Sequence, residues 1–282
     1  MPETVTNKKK NPVPDPEVEM SFWDHLDALR GHLFRSAIAI VAMAVVAFMN
    51  REFIFDKLIL APKNAGFITN RLLCQLGNWA NVPSLCIENF DLKIINYNIS
   101  GQFTTHMYIS FFTGMIVAAP YVIWEVWRFI KPALYEKERK HSSGAVVSMS
   151  VLFIVGVLFS YFLIVPLTLS FFGTYQVSES VNNQFALSSY ISTVVSVTFS
   201  LGVVFELPVF VYFLTKVGII TPEFLKRNRK YTLVILLTIA AIITPPDIIS
   251  QILVTIPLYG LYEISILVSQ RIKKKGKTGS ED

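Results

Sequence analysis

Charge is scarce in this chain. Charged residues make up 16% of 282 residues, where an average soluble domain carries about 25%. Cysteine occurs twice, at Cys74 and Cys86, and no histidine stands near either, so a metal site is not expected. The H-E-x-x-H, G-x-S-x-G and P-loop patterns are missing, so no enzymatic signature and no cofactor is expected. No internal repeat is visible. The two halves lack the matching broken helices of an inverted-repeat transporter. No short apolar segment with a small-residue cleavage site opens the chain, so no cleavable signal peptide is expected.

What the sequence has is apolar length. Hydrophobic residues reach 52% and the mean hydropathy is +0.50. Six apolar runs stand out, at about 33–49, 107–130, 142–169, 188–216, 231–243 and 248–268. Runs of this kind read as membrane spans, and in lipid each must be a helix, because its backbone groups have no water to bond. The fifth run is only 13 residues, about 20 Å of helix against a hydrocarbon core of about 30 Å. Flanking residues or a thinner bilayer must make up the difference. Thr244-Pro245-Pro246-Asp247 joins it to the sixth run as a tight break. Pro120, Pro208 and Pro257 fall inside runs and are expected to kink them. Unequal, kinked helices suggest a concave bundle.

The +5 formal charge suggests nucleic acid only if the distribution is ignored. Lysines and arginines gather in 131–141, 216–230 and the tail from 271, whereas 170–187 has none. Lys/Arg excess marks the cytoplasmic side. The loops then alternate, and both termini lie inside. The expected organisation is a polar disordered tail over 1–20 and an amphipathic interfacial helix over 21–33. A six-span domain over 33–270 and a basic tail over 271–282 complete it. An outer loop occupies 50–106. In 22–34, Phe22, Leu26, Leu29 and Leu33 form the apolar stripe, with Asp24, His25, Asp27 and Arg30 around it. Cys74 and Cys86 both sit in the outer loop, where an oxidising compartment would allow a disulfide.

Polar groups inside apolar runs are the candidate functional residues. Glu206 lies mid-span, where a carboxylate is costly and marks function by default. Glu125 and Glu263 are closer to span ends, and each is expected to reach the headgroup region.

Several segments, taken together, resemble the TatC family, the multi-span receptor of twin-arginine protein translocation. They are His25-Leu26-Asp27-Ala28-Leu29-Arg30, Pro132-Ala133-Leu134-Tyr135 with Glu138-Arg139, Gly202 with Phe205-Glu206 and Pro208, Arg229 with Tyr231, and Thr244-Pro245-Pro246-Asp247 with Ser250-Gln251. The resemblance implies an all-α integral membrane fold of six transmembrane helices in a glove-like bundle, with short fifth and sixth helices. It implies residence in the bacterial cytoplasmic (inner) membrane and binding of the twin-arginine signal peptides of folded precursors. It also implies self-association, single-span TatA/TatB-type partners and transport driven by the proton-motive force. Glu138 matches the loop glutamate that the family uses for signal-peptide binding, and Arg139, Arg30 and Phe129 are assigned to the same site. The family pattern H-L-x-E-L-R has a second glutamate where this chain has Ala28. Asp27 or Asp24 is the expected partial replacement, although Asp27 stands about 100° away around the helix. Glu206, Gln251 and Asp247 are assigned to an intramembrane polar patch facing the peptide or a partner helix.

Overall fold

The computed structural model describes residues 22–64, 66–79, 92–130, 142–178, 183–244 and 248–278. Residues 1–20, Glu138, Arg139, Cys86, Asp247 and the 245–247 turn lie outside them.

The amphipathic segment and the first apolar run form one helix, α1 (Phe22–Met49). Nothing between residues 22 and 49 stops a helix: there is no proline, and the apolar residues follow a helical period. Gln102 to Ile130 continue the helix α3 (Gly101–Ile130) six residues earlier than the apolar run suggests. The loop expected over 50–106 therefore ends before Gly101, and its described residues form elements of their own. It holds a π-helical turn (Phe53–Ile59), a short 3-10 turn (Ala61–Lys63), helix α2 (Ile68–Trp79) and strand β1 (Lys93–Ile95).

α1 and α3 run antiparallel and pack closely. A Cβ on Gly114 would stand 2.5 Å from the backbone nitrogen of Ala44, so the glycine is what lets the two backbones meet. Small residues serve this purpose where helices associate in lipid. The outer face of α1 has no such neighbour: only 11% of its apolar window is buried.

The third run is α4 (Ser142–Phe159), a π-helical turn (Ser160–Ile164) and α5 (Val165–Thr174). Pro166 has no N–H to donate, and the widened turn just before it absorbs the mismatch. Strand β2 (Gln184–Ala186) pairs in parallel with β1, with Ile94 opposite Phe185.

The fourth run divides. α6 (Leu187–Val204) ends at Phe205-Glu206, and α7 (Leu207–Lys216) restarts with Pro208 in its first turn, where a missing N–H costs least. Pro120 and Pro257, by contrast, stay inside continuous helices. α6 locks to α4 through two glycines. A Cβ on Gly156 would stand 2.8 Å from the Cβ of Phe205, and one on Gly202 would stand 2.9 Å from Val157.

Helix α8 (Pro222–Arg227) is capped by Thr221, whose hydroxyl accepts from the N–H of Phe224 at 3.3 Å. It leads to α9 (Arg229–Ile243), the fifth run, at 15 residues about 22 Å long. The sixth run is not short. α10 (Ile248–Thr278) has 31 residues and extends through most of the expected basic tail. Lysine is a good helix former, so charge ends the apolar stretch without ending the helix. Among the described residues, five helical segments are long and apolar enough to cross a bilayer: Leu26–Met49, Gly101–Ile130, Gly144–Thr174, Leu187–Lys216 and Ser250–Lys273. This is a multi-pass helical membrane architecture. α9 falls below that length.

The shared core lies where α5, α6, α7 and α10 meet, around Ile164, Ile191, Leu201, Leu258 and Ile266.

Candidate functional site

The two ends of the bundle differ. At one end, 131–141 follows α3, α7 leads into α8, and α10 finishes. Trp127 packs on Phe213 with ring centroids 4.6 Å apart, which brings the ends of α3 and α7 together. At this basic end two ion pairs tie the 216–230 connection to α10. Lys273 Nζ donates to Glu223 at 2.7 Å, and Arg229 Nη2 donates to Glu263 at 2.6 Å. The hydrogen bond from Lys273 holds the Glu223 carboxyl below its ordinary range. Tyr262, buried on α10, donates to the carbonyl of Leu225 at 2.8 Å. Glu263 thus meets the guanidinium of Arg229, whereas the sequence suggested reach toward headgroups.

The opposite end is closed by aromatic and hydroxyl groups. Tyr190 donates to the carbonyl of Ile59 at 2.8 Å, and Tyr161 to that of Leu58 at 2.6 Å. Thr69 donates to the carbonyl of Phe162. Cys74 on α2 is disulfide-bonded.

Around the basic end of α1 and α3 the structure builds a polar cluster that the sequence did not single out. Glu125 is 1% exposed. Its Oε2 lies 2.5 Å from His32 Nδ1, and Tyr121 donates to its Oε1 at 2.9 Å. Arg35 Nε stands 3.4 Å from the same Oε1. Residues 121 and 125 are one turn apart on α3, and 32 and 35 one turn apart on α1, so each helix contributes a pair to one spot. Burial without these donors would cost several kcal/mol, and the expectation that Glu125 reaches the headgroups is overturned. Only its partners, distant in sequence, reveal it. His32 Nδ1 also lies 3.2 Å from Arg35 Nη2. One nitrogen cannot donate to Glu125 and accept from Arg35 at once. The shorter contact, to the carboxylate, is the bond that forms.

Phe129, one turn beyond Glu125 toward the basic end, meets His32 edge-on with centroids 6.1 Å apart. Ala28 precedes His32 by one turn on α1 and is half-buried, whereas Asp27 and Arg30 are exposed. Asp24 belongs to α1. Of the expected signal-peptide residues, Phe129 therefore joins this cluster directly through His32.

The expected intramembrane patch divides into separate places. Glu206 sits at the α6–α7 break, half-buried, and its Oε1 is buried without a hydrogen-bond partner among the described residues. Gln251 spends its Nε2 on the carbonyl of Leu237 at 3.1 Å, tying α10 to α9. One turn along, Thr255 donates to the carbonyl of Gln251. Among the described residues no bond joins Glu206 to Gln251, and no group of acids, cysteines and histidines is suited to a metal ion.

These elements define a multi-pass helical membrane protein with a buried carboxylate cluster at its basic end. Residues 24–257 match the family model described as "Sec-independent protein translocase protein (TatC)". The chain is 41% identical over 259 residues to the TatC protein of Blattabacterium sp. subsp. Periplaneta americana, covering 91% of this chain and 97% of that one. It is 32% identical over 262 residues to TatCy of Bacillus subtilis, covering 93% of each. A crystal structure titled as that of the twin arginine translocase receptor TatC superposes with a TM-score of 0.69 at 32% identity, covering 88% of this chain and 99% of that one. The chain belongs to the TatC family. It is accordingly a membrane component of a protein translocase, not an enzyme.

Proposed function

We propose that this protein is the receptor subunit of a twin-arginine translocase. It binds the twin-arginine signal peptides of folded precursors and assembles with TatA/TatB-type single-span proteins and with further copies of itself. The observation that carries this reading is family membership across 24–257, together with a solved relative titled as a receptor. In this reading α9 also crosses, as the fifth of six spans, helped by Arg229, Lys230 and Thr244 at its ends. Both termini then lie in the cytoplasm, the membrane is the bacterial inner membrane, and the helices form a glove-like cup.

Glu138 is assigned as the principal carboxylate for the arginine pair, and Arg139, Asp24, Asp27, Arg30 and Phe129 are assigned to the same recognition site. Two planar, permanently charged guanidinium groups suit carboxylates that grip them bidentately, and lysine does not replace them equally. Glu206 is supported as a partner contact because its buried Oε1 has no hydrogen-bond partner among the described residues, and a polar group on an entering helix would satisfy it for about 1 kcal/mol. Gln251, near the start of α10, and Asp247, just before that helix in the chain, are assigned to the same partner contact.

The test is a binding titration of full-length protein in nanodiscs with a twin-arginine peptide and its Lys-Lys variant. Preference for Arg-Arg, lost in Glu138→Ala, is expected. Equal binding of the two peptides refutes the receptor reading.

A further inference from the structure

Arg35 holds Glu125 poorly. A guanidinium that belongs to a carboxylate sits in a fork, two N–H groups to two oxygens. Here a single nitrogen, Nε, approaches one oxygen at 3.4 Å. Nη2 points at a histidine nitrogen that is already committed to the carboxylate. The Arg35 side chain is 49% exposed, and the Glu125 side chain 1%. The carboxylate is fixed by His32 and Tyr121, while the arginine leans in from the margin and can swing out.

The position also carries meaning. Ala28 and His32 share the α1 face that meets α3, as residues four apart do. Phe129 and Glu125 share the facing side of α3. His32 touches both members of that pair. Glu125 therefore lies about one turn, 5.4 Å, deeper than the level of Ala28, on the opposite wall of the same seam. Where the family pattern has an acid at position 28, this chain has a small side chain and a carboxylate across from it.

We infer that Glu125 is a carboxylate engaged by the arginine pair of the signal peptide, with Arg35 as a resident guanidinium that the incoming one displaces. This rests on the receptor reading above. One guanidinium of the pair enters past Ala28, packs on the Phe129 ring and takes Oε1 of Glu125, while Arg35 turns outward. No covalent step is involved; one cation replaces another, so the buried carboxylate stays neutralised throughout. The exchange avoids exposing an unpaired buried charge, which would be strongly destabilising.

The two variants that test this move in opposite directions. In nanodiscs, Arg35→Gln removes the competitor and is expected to bind a twin-arginine peptide several-fold more tightly than the unaltered protein. Glu125→Gln is expected to weaken binding about tenfold, the scale of a lost charge-assisted pair. Restoring an acid on the facing wall, as Ala28→Glu in the Glu125→Gln background, recovers most of the loss. A purely structural cluster predicts that Arg35→Gln and Glu125→Gln both weaken binding, and that result overturns the inference. So does binding by Glu125→Gln equal to that of the unaltered protein. Arg35 is half-exposed, so its variant folds, and its sign decides the matter even if Glu125→Gln proves unstable. Failure of the receptor reading itself looks different: the unaltered protein would then bind Arg-Arg and Lys-Lys peptides alike.

Discussion

His32 and Glu125, 93 residues apart in the chain, meet at 2.5 Å and fasten the basic end of α1 to α3. The glycine contact at Gly114 lies further along the same pair of helices. α1 is therefore held at two heights, by charge near one end and by close backbone approach toward the middle.

His32→Ala leaves the buried Glu125 without its closest donor. The expected cost is about 1–3 kcal/mol, read as a lower thermal midpoint in detergent. His32→Asn, which keeps an N–H donor, should recover part of it. An unchanged midpoint for His32→Ala would mean that the pair carries no stability.

Gly114→Ala should destabilise by about 1–3 kcal/mol, because the added methyl meets the Ala44 backbone, which has no rotamer to yield. Gly144→Ala is the internal control. Its Cβ would enter open space, so the midpoint should hold or rise by about 0.4–1 kcal/mol through the unfolded state.

Tyr190→Phe leaves the Ile59 carbonyl without its donor at a buried site. The helix stays, but the 53–63 segment loses an anchor worth about 1–3 kcal/mol. Limited proteolysis should cut this segment faster in the variant, with cleavage inside the spans unchanged.

The Glu223–Lys273 pair sets a pH dependence. The Glu223 carboxyl is held below its ordinary value of 4.5 by the hydrogen bond from Lys273. A lowered value means the bridge contributes fully above 4.5 and is lost as pH falls through the folded value. Spin labels at Arg227 and Arg271 should report a fixed distance at neutral pH and a broadened one in acid. Glu223→Gln should be broadened at every pH.

How much of this was legible in the sequence depends on range. The apolar runs declare themselves within a few residues, because lipid enforces helix. Of the three prolines expected to kink their runs, only Pro208 stands at a break between helices, while Pro120 and Pro257 stay inside continuous ones. The start of α3 at Gly101 and the short elements α2, β1 and β2 did not, since none carries an apolar run of span length. The continuation of α10 to Thr278 was hidden by its lysines, which read as tail by charge and as helix by propensity. Glu125 was misread because its environment is made by His32 and Arg35 on another helix. A carboxylate five residues from a span end has the same local sequence whether it reaches water or a buried imidazole.

The widened turn at Ser160–Ile164 divides the third span into two angular frames. An extra residue in a helical turn rotates everything after it by about 100°. The stripe of α4 that faces α6 through Gly156 is therefore not continued by the residues spaced three and four further along. A reporter walked residue by residue from 144 to 174 will trace two stripes, offset at the wide turn. Any sequence change that removes the surplus residue would rotate the whole of α5, with Thr168, which bonds Ser250 at 3.2 Å, away from its partner.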